Sequence, residues 1–538
     1  MRITGYVSAS ATRNHALGDP LVDFLNHRYG KQQPDQFTAF IQDRGCSFET
    51  EIVKQVRTNH LITQITTNPH DEASLISKAE ETIAAMRSGA PLIYQGVLHN
   101  HKLKTYGAPD FLIRSDYLDK LFKNVSVPDK KQSSRLTTDF HYKILDVKFT
   151  TLHLRADLTH LLNVGSVPAY KVQLCVYNDA LSETQGYASS TAYILGRSVR
   201  RGDFRYGSFD QPGVVDYQYV DYQYKVKTGE AVDWLLNMQN HQQPCPGKSK
   251  SSDHRELRQQ IADQTGEITQ VWYCGVKQRE NALRAGVTSW RDPRCSASLL
   301  GVRGEQTSTV VNHILNINRS SEQFYIPDGF RMPRFSNEIF VDFETVNSVH
   351  FNPVTDARSF TLVFMIGVYH RDRYFNFTAD SLTLESEKNI LAAFHLLLSE
   401  IQEQNQDQVT ALHWAPIERT LYSELEQRHG LSFPLEWYDL CSLFKTEPIV
   451  VRGAFNFTLK SITRALNCHG LINCKYDTES LSDGLSAMIS AVKYYKSDQA
   501  APGDQTLAKI SEYNRIDCLA LSEITKFLRR VTNKRARD

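Results

Sequence analysis

The sequence predicts an α/β protein in which two α/β domains are joined by a helical segment. Helices alternate with strands over about the first 230 residues, and a second alternation begins at Glu338. Between them, the Pro/Gly/Ser-rich stretch 241–252 precedes a helical pattern that continues to about residue 320. A chain of 538 residues is long enough for two or three domains. The predicted domains are residues 1–230, 231–333 and 334–538.

The elements of the first domain follow from periodicity and from helix-start signals. Asp19-Pro20 is typical of a helix start, and alternating apolar residues indicate strands. The predicted elements are helices from 19 and over 37–56, 72–88, 164–182 and 229–240, and strands over 61–66, 91–98, 110–114, 142–149 and 193–195.

The C-terminal domain opens with strands and ends mostly in helices. A proline-containing connector, 323–335, precedes it. The predicted elements are strands over 338–344, 359–368, 372–377 and 409–412, a helix over 382–403, and further helices after residue 412.

Composition excludes several classes of protein. The net charge is +1, so a nucleic-acid surface must be a local patch, and Arg197, Arg200 and Arg201 form one candidate; they are otherwise a solvated face. Nine cysteines without a CxxC pair predict reduced thiols. No apolar run approaches 18 residues, and a signal-peptide core is absent. We expect an intracellular protein of the cytoplasm or nucleus, neither secreted nor membrane-bound.

The strand 338–344 carries two acids. Side chains alternate along a strand, so Asp342 and Glu344 share one face while Val341 and Phe343 share the other. Two carboxylates about 7 Å apart on a strand can hold divalent cations. A strand with one solvated face is the alternative.

Three further residues extend this pattern. Glu418 lies where a strand runs into a helix, and Tyr513 and Asp517 lie four apart on one face of the last helix. The order resembles the DEDD exonucleases of the ribonuclease-H-like fold, in their tyrosine variant, and more closely the YprB-type domain. The resemblance covers about 334–530. It departs from the core DEDD set at Glu418, which replaces an aspartate.

The resemblance implies a 3′–5′ exonuclease domain. Phosphodiester hydrolysis by this route uses two Mg²⁺ or Mn²⁺ ions, which prefer carboxylate and water ligands. Asp342, Glu344, Glu418 and Asp517 would hold the two ions, and Tyr513 would orient the attacking water. Lys460 would contact a phosphate, or is simply a lysine at a helix start.

The first domain carries a second set of candidates. Asp110 lies in the closing residues of one predicted strand, which ends at Arg114, and Asp146 and Lys148 share one face of another. Two acids that bind Mg²⁺ or Mn²⁺ beside a lysine that stabilises developing charge form a hydrolytic arrangement. Taken alone, a D-x-K strand is also compatible with a purely structural role.

Two neighbouring motifs favour the catalytic interpretation. Gln173 and Tyr177 lie on one helical face, and Glu49 follows Gly45 in a helix. With the D…D-x-K set, these resemble the RecB family of PD-(D/E)XK nucleases, which have a restriction-endonuclease-like fold. The resemblance covers about 1–230. It implies that Glu49 binds the metal together with Asp110 and Asp146. The cysteine positions do not match an iron–sulfur staple, so we expect no cluster.

The middle segment predicts two short helices with a glycine turn over 267–290. This is similar to a degenerate helix-hairpin-helix, whose turn amides bind DNA phosphates. The usual paired glycines are absent, so we predict a plain helical connector, with the degenerate helix-hairpin-helix as the alternative.

Together the motifs predict a metal-dependent DNA nuclease with two active sites, acting in DNA repair, recombination or genome processing. The carboxylates do not discriminate DNA from RNA, so an RNA exonuclease is the first alternative. A nucleic-acid-binding scaffold with an inactive site is the second. The sequence does not identify a helicase or repair partner.

Overall fold

The computed structural model describes residues 5–66, 72–125, 131–202, 204–246, 251–347, 361–476, 484–496 and 504–535. The chain forms two compact units, Met1–Gln259 and Gln260–Asp538. Each unit contains helices and mixed sheets, so the α/β class is confirmed. The boundary between the units falls inside the predicted connector, 231–333. That segment is therefore divided between the units instead of forming a body of its own.

Unit 1 alternates helices with short strands. Its strands are β1 (Val7–Ser8), β2 (Thr63–Gln64), β3 (Leu92–Tyr94), β4 (Leu98–Asn100), β5 (Thr105–Gly107), β6 (Phe111–Arg114), β7 (Tyr142–His153), β8 (Thr191–Arg201), β9 (Phe204–Tyr206) and β10 (Gly213–Asp216). Its helices are α1 (Arg13–Ala16), α2 (Pro20–Tyr29), α3 (Gln36–Asn59), α4 (Glu72–Arg87), α5 (Leu118–Leu121), α6 (Val167–Gln185), α7 (Gln223–Leu236) and α8 (Arg255–Thr265), the last of which crosses the boundary.

The main sheet of unit 1 has the strand order β10-β8-β7-β6-β3-β2, with β9 paired to β8. Strand β7 runs parallel to β8 and antiparallel to β6. A second sheet has the order β1-β5-β4. Helix α6 is buried along most of its length and packs against the apolar core of this unit. The longest strand, β7, thus lies at the centre of the unit.

The prediction of one strand over 91–98 is wrong. Strand β3 ends at Tyr94 and β4 begins at Leu98 in a different sheet. Gln95 has a φ of +56°, in the left-handed region that interrupts a strand. The chain therefore turns out of the main sheet at this residue.

Unit 2 contains a five-stranded sheet and a separate pair of short strands. Its strands are β11 (Phe324–Tyr325), β12 (Asn337–Val346), β13 (Leu362–His370), β14 (Arg373–Thr378), β15 (Val409–His413), β16 (Leu435–Asp439) and β17 (Val450–Val451). Its helices are α9 (Val276–Arg284), α10 (Glu305–Arg319), α11 (Leu384–Asn405), α12 (Ile417–His429), α13 (Leu440–Thr446), α14 (Leu459–Cys468), α15 (Gly484–Lys496) and α16 (Thr506–Arg535).

The strand order of the main sheet in unit 2 is β14-β13-β12-β15-β16. The acid-bearing strand β12 is central, antiparallel to β13 and parallel to β15. Every residue of β13 is buried, which is the pattern of a strand covered on both faces. The 30-residue helix α16 packs against β12 and β13. The last helix is thereby placed over the two acids of the central strand.

The middle segment does not form two α-helices within 267–290. Only a short 3-10 turn, Ile268–Gln270, and α9 form in this region, and residues 285–304 contain no helix. The segment after α9 instead buries Trp290, Cys295 and Leu300 in the core of unit 2. These side chains stabilise an irregular segment by apolar burial, so no second helix is required.

Two expectations from composition have structural counterparts. The nine cysteines all lie in the part of the chain that the structure describes, and they form no disulfide bond. Across the part of the chain that the structure describes, no helix is both long and apolar enough to cross a membrane.

Candidate active sites

In unit 2, the central strand presents both of its acids to the last helix. Asp342 lies opposite Gly367 of β13, and Glu344 lies opposite Met365. From α16, the Asn514 side-chain amide donates to Asp342 Oδ2 at 2.8 Å and to the Asp342 carbonyl at 3.1 Å. Tyr374 donates in turn to Asn514 Oδ1 at 2.9 Å. This network fixes α16 to β12 through the first acid.

Because α16 is fixed there, its other candidate residues approach the same buried region. The Tyr476 hydroxyl donates to Asp517 Oδ1 at 2.5 Å. The Lys460 ammonium lies 4.5 Å from the ring centroid of Tyr513 and 5.2 Å from that of Tyr476. These cation–π contacts place a positive charge beside the acid of α16.

Glu418 lies in the first turn of α12 and is buried. Its Oε2 atom is 3.3 Å from Nδ1 of His413, which ends β15. The His413 ring packs edge-on against Trp437. The substituted third acid therefore points into the protein and has a fixed partner, as a ligand or structural residue would.

Electrostatics shows that the four acids of unit 2 are close enough to influence one another. Burial raises the pKa of Asp342 well above its ordinary value, and the carboxylates of Asp517, Glu344 and Glu418 raise it further. Burial, followed by Asp517, raises the pKa of Glu344 to about 8. Burial raises the pKa of Asp517 to about 6, although the Lys460 charge acts against this. One lysine thus faces a buried excess of negative charge.

Gly367 is required by the approach of α16. A Cβ atom at this position would lie 1.5 Å from Asn514 Oδ1. We expect Gly367→Ala to displace Asn514, to misplace Tyr513 and Asp517, and to reduce any metal-dependent activity of unit 2 by at least about 100-fold, since small misplacements of reacting groups have such effects.

The measurement is the rate of any metal-dependent activity of unit 2, together with the unfolding midpoint. Gly229 offers a matched control, because its Cβ position has no atom within 4 Å. Wild-type activity in Gly367→Ala would show that the contact between Asn514 and Asp342 is dispensable.

In unit 1, the two candidate aspartates lie on neighbouring strands. Asp110, just before β6, accepts from the Val147 amide at 2.6 Å through Oδ2. Its own amide donates to Asp146 Oδ1 at 3.4 Å. Lys148 forms an ion pair with Asp146, and its ammonium lies 5.4 Å from the Tyr170 ring centroid. The D…D-x-K residues are therefore brought together.

Glu49 reaches the same region from α3. Its Oε1 atom accepts from the Tyr94 hydroxyl at 2.7 Å and from the Gln95 amide at 3.4 Å. The left-handed turn at Gln95, which ends β3, is thus also the turn that holds Glu49. Among the charges that raise the pKa of Asp110 is that of Glu49, which confirms their proximity.

Helix α6 closes this site. The Gln173 amide donates to the Tyr177 hydroxyl at 2.8 Å. A Cβ atom on Gly107 would lie 2.3 Å from Tyr177 Cε1, so the tyrosine ring packs directly on the backbone of β5. Burial raises the pKa of Tyr177, and Asp146 raises it further.

The charges of unit 1 differ from those of unit 2 because a lysine lies inside the cluster. Burial and then Asp146 raise the pKa of Asp110 well above its ordinary value, whereas Lys148 lowers it. Burial lowers the pKa of Lys148, but Asp146 and Asp110 raise it by more, so the net shift is upward. The lysine remains charged and offsets part of the buried negative charge.

The predicted basic residues lie on β8. The Arg197 guanidinium is 5.4 Å from the ring centroid of Phe149, the residue after Lys148. Arg200 and Arg201 are exposed at the end of the strand. This basic segment therefore begins beside the candidate active site of unit 1.

Among the described residues, no group of three or more His, Cys, Asp or Glu side chains is already arranged around a common metal position. Internal partners account for this. Asn514 holds Asp342, Tyr476 holds Asp517, and Lys148 holds Asp146. Carboxylate oxygens are nevertheless the donors that Mg²⁺ and Mn²⁺ prefer in proteins.

Several residues of these two sites were not predicted from the sequence. Asn514, Tyr476 and His413 contact the acids of unit 2, and Tyr94 and Gln95 contact Glu49. Only Asn514 had a local signal, since it lies between Tyr513 and Asp517 in the last motif.

The comparisons with known proteins add no relative. No protein-family model matches the chain, and a search of curated proteins finds no significant match. The function must therefore be argued from the two sites themselves.

Proposed function

We propose that this protein is a divalent-metal-dependent nuclease with two active sites that hydrolyses phosphodiester bonds in DNA. Unit 1 would act as a RecB-like PD-(D/E)XK nuclease, and unit 2 as a ribonuclease-H-like 3′–5′ exonuclease. A role in DNA repair, recombination or genome processing follows from this activity.

The observation that carries the proposal is the docking of α16 on β12. The hydrogen bond from Asn514 to Asp342 brings the tyrosine and aspartate of the last motif to the strand that bears the first two acids. Residues far apart in the chain, each proposed for one reaction, are thus gathered in one buried region. A strand with a solvated face would not bury Glu344, which is 5 % exposed.

The residues of unit 2 have separable roles in this proposal. Asp342, Glu344, Glu418 and Asp517 would hold the cations. When bound, two cations would supply an activated water and stabilise the leaving oxygen. Burial keeps the Tyr513 phenol protonated by raising its pKa, so it can donate a hydrogen bond that orients the water. Lys460 carries a positive charge that can contact a phosphate.

The residues of unit 1 divide in the same way. Glu49, Asp110 and Asp146 would hold a cation. Lys148, kept charged by its neighbours, would stabilise the negative charge that develops on the scissile phosphate. Gln173 and Tyr177 hold each other against β5 and so fix the wall of the site behind the lysine.

Digestion of end-labelled oligonucleotides tests the proposal. Single- and double-stranded DNA and RNA, labelled at either end, are incubated with Mg²⁺ or Mn²⁺ and with wild type, Asp146→Asn, Asp342→Asn or both changes combined. We expect DNA to be digested, each single variant to lose one pattern of products, and the combined variant to be inactive. Loss of the 3′–5′ ladder should follow Asp342→Asn.

Two results would overturn parts of this proposal. RNA digestion without DNA digestion would reassign the substrate. Absence of digestion by wild type with either metal would leave a nucleic-acid-binding scaffold.

A further inference from the structure

A basic hairpin beside unit 1's candidate site has features that the proposed cleavage chemistry does not use. Strands β8 and β9 are separated by two residues and pair antiparallel. We name Arg200, Arg201, Phe204 and Arg205 the arginine hairpin. Arg200 lies directly opposite Arg205, and Arg201 lies opposite Phe204. Like charges directly opposite each other destabilise a hairpin, so this arrangement favours an anionic partner.

No partner within the described part of unit 1 neutralises these charges. Neither Arg200 nor Arg205 forms an ion pair with a carboxylate of the described residues, and both are exposed. Arg44 and Arg197 extend the positive charge inward. Burial lowers the pKa of Arg197, and Arg205, Arg200 and Arg44 lower it further, which shows that the four cations are clustered.

An exposed aromatic ring lies within this positive charge. Phe204 is 71 % exposed, between Arg201 across the ladder and Arg205 next in the chain. A single exposed phenylalanine is ordinary, but one flanked by arginines has the composition of a single-strand binding surface. Acidic protein segments would satisfy the arginines and leave the ring without a role.

Cation–π contacts lead from the strand of the hairpin toward the candidate active site. The Phe149 ring contacts two guanidinium groups, with its centroid 5.4 Å from that of Arg197 and 5.9 Å from that of Arg44. Phe149 follows Lys148, and Arg44 lies on α3 with Glu49. A strand held at the hairpin would thus have positive charge along its path to the lysine.

We propose that the arginine hairpin binds a single strand of nucleic acid, with Phe204 stacking on an unpaired base and the arginines contacting phosphates. This inference rests on the proposed nuclease function for its biological purpose, but not for its test. A duplex would bind less well, because its bases are already stacked on each other. Unit 1 would thereby take its substrate as a single strand or as a frayed end.

Fluorescence anisotropy in EDTA tests the binding without cleavage. Probes are fluorescein-labelled oligo-dT, oligo-U and a duplex of the same length. We expect Phe204→Ala to weaken single-strand binding about 5- to 150-fold, since stacking contributes about 1–3 kcal/mol per base. Phe204→Trp should retain affinity. Arg205→Ala should weaken all probes and reduce the salt slope by about 0.7–0.9 per lost phosphate contact.

Tyr219→Ala is the matched control, because Tyr219 is an aromatic residue of unit 1 that is 70 % exposed outside the hairpin. The inference would be overturned if Phe204→Ala bound single strands as tightly as wild type does, or if wild type bound the duplex as tightly as a single strand. It would also be overturned if polyglutamate displaced the probe as well as unlabelled single strand does. Digestion by wild type with unchanged Phe204→Ala binding would overturn this inference alone. Phe204-dependent binding without digestion would support it and remove the nuclease proposal. The sugar preference is read from the DNA and RNA probes.

Discussion

Asp342→Asn is expected to remove the activity of unit 2 and to stabilise the metal-free protein at the same time. The activity of unit 2 is measured in proteins that carry Asp146→Asn, so that unit 1 does not contribute. Adding Asp342→Asn to this background should lower the rate of digestion on the order of 1,000-fold, because metal-assisted charge stabilisation is worth several kcal/mol. In EDTA at pH 7, we expect the free energy of unfolding to rise by on the order of 2 kcal/mol. Rate assays and urea unfolding measure the two effects.

The sign of the stability change follows from the raised pKa of Asp342. The folded protein binds this proton more tightly than the unfolded chain does, so the group favours folding most below about pH 4. That contribution is lost as the pH rises toward the folded pKa. At pH 7 the unfolded chain is ionised at this position, whereas burial and the neighbouring acids disfavour the charged form in the folded protein, so the titration of Asp342 opposes folding. An asparagine does not titrate and removes this cost. The gain should therefore shrink in acid.

Asp372→Asn provides the control, because Asp372 is 75 % exposed and its ion pair with Lys526 lies at the surface. Its effect should stay within about 0.5 kcal/mol. A less stable Asp342→Asn protein in EDTA at pH 7 would show that burial and the neighbouring acids do not disfavour the charged form of Asp342 in the folded protein.

Lys148→Met is expected to have the opposite effect on stability. The change leaves the buried Asp146 and the half-buried Asp110 without their cation, and removal of one partner of a buried ion pair costs about 3–5 kcal/mol. Digestion by unit 1, isolated in an Asp342→Asn background, should be lost as well. Urea unfolding at pH 7 measures the first effect.

The pH dependence of the stability loss in Lys148→Met tests whether the loss is electrostatic. The raised pKa of Asp110 means that the folded protein takes up this proton readily, so the loss caused by Lys148→Met should shrink as the pH is lowered toward 5. Adding Asp146→Asn should restore at least about 1 kcal/mol at pH 7. Lys143→Met is the control: Lys143 is buried on the same strand, but its ammonium donates to Thr191 Oγ1 at 3.1 Å. An equal loss from Lys148→Met at pH 5 and pH 7 would contradict the electrostatic cause.

Local pattern was sufficient to predict much of the fold. The alternation around Asp342 and Glu344 predicts the central strand, and the helical period of Tyr513 and Asp517 predicts their shared face. The structure has β12 and α16 at these positions. Both the strand and the shared helical face depend on residues that are near one another in the sequence, so they can be predicted without tertiary information.

Features that depend on tertiary contact were not predictable in this way. The role of Asn514 depends on how closely α16 approaches Gly367 of another strand, and nothing in either sequence segment sets that distance. The break at Gln95 requires a positive φ in a residue type that gives no signal of it. Likewise, the irregular segment containing Trp290 is stabilised by burial, which the helical period does not detect.

The central claim is that the buried carboxylates of each unit bind divalent cations. Calorimetric titration of Mn²⁺ into wild type, Asp146→Asn, Asp342→Asn and the combined variant at pH 7.5 tests it most directly, since no substrate has to be chosen. We predict binding in both units of wild type, loss of one set of sites in each single variant, and no specific binding in the combined variant. Equal Mn²⁺ binding by wild type and the combined variant, or no binding by wild type, would contradict the claim.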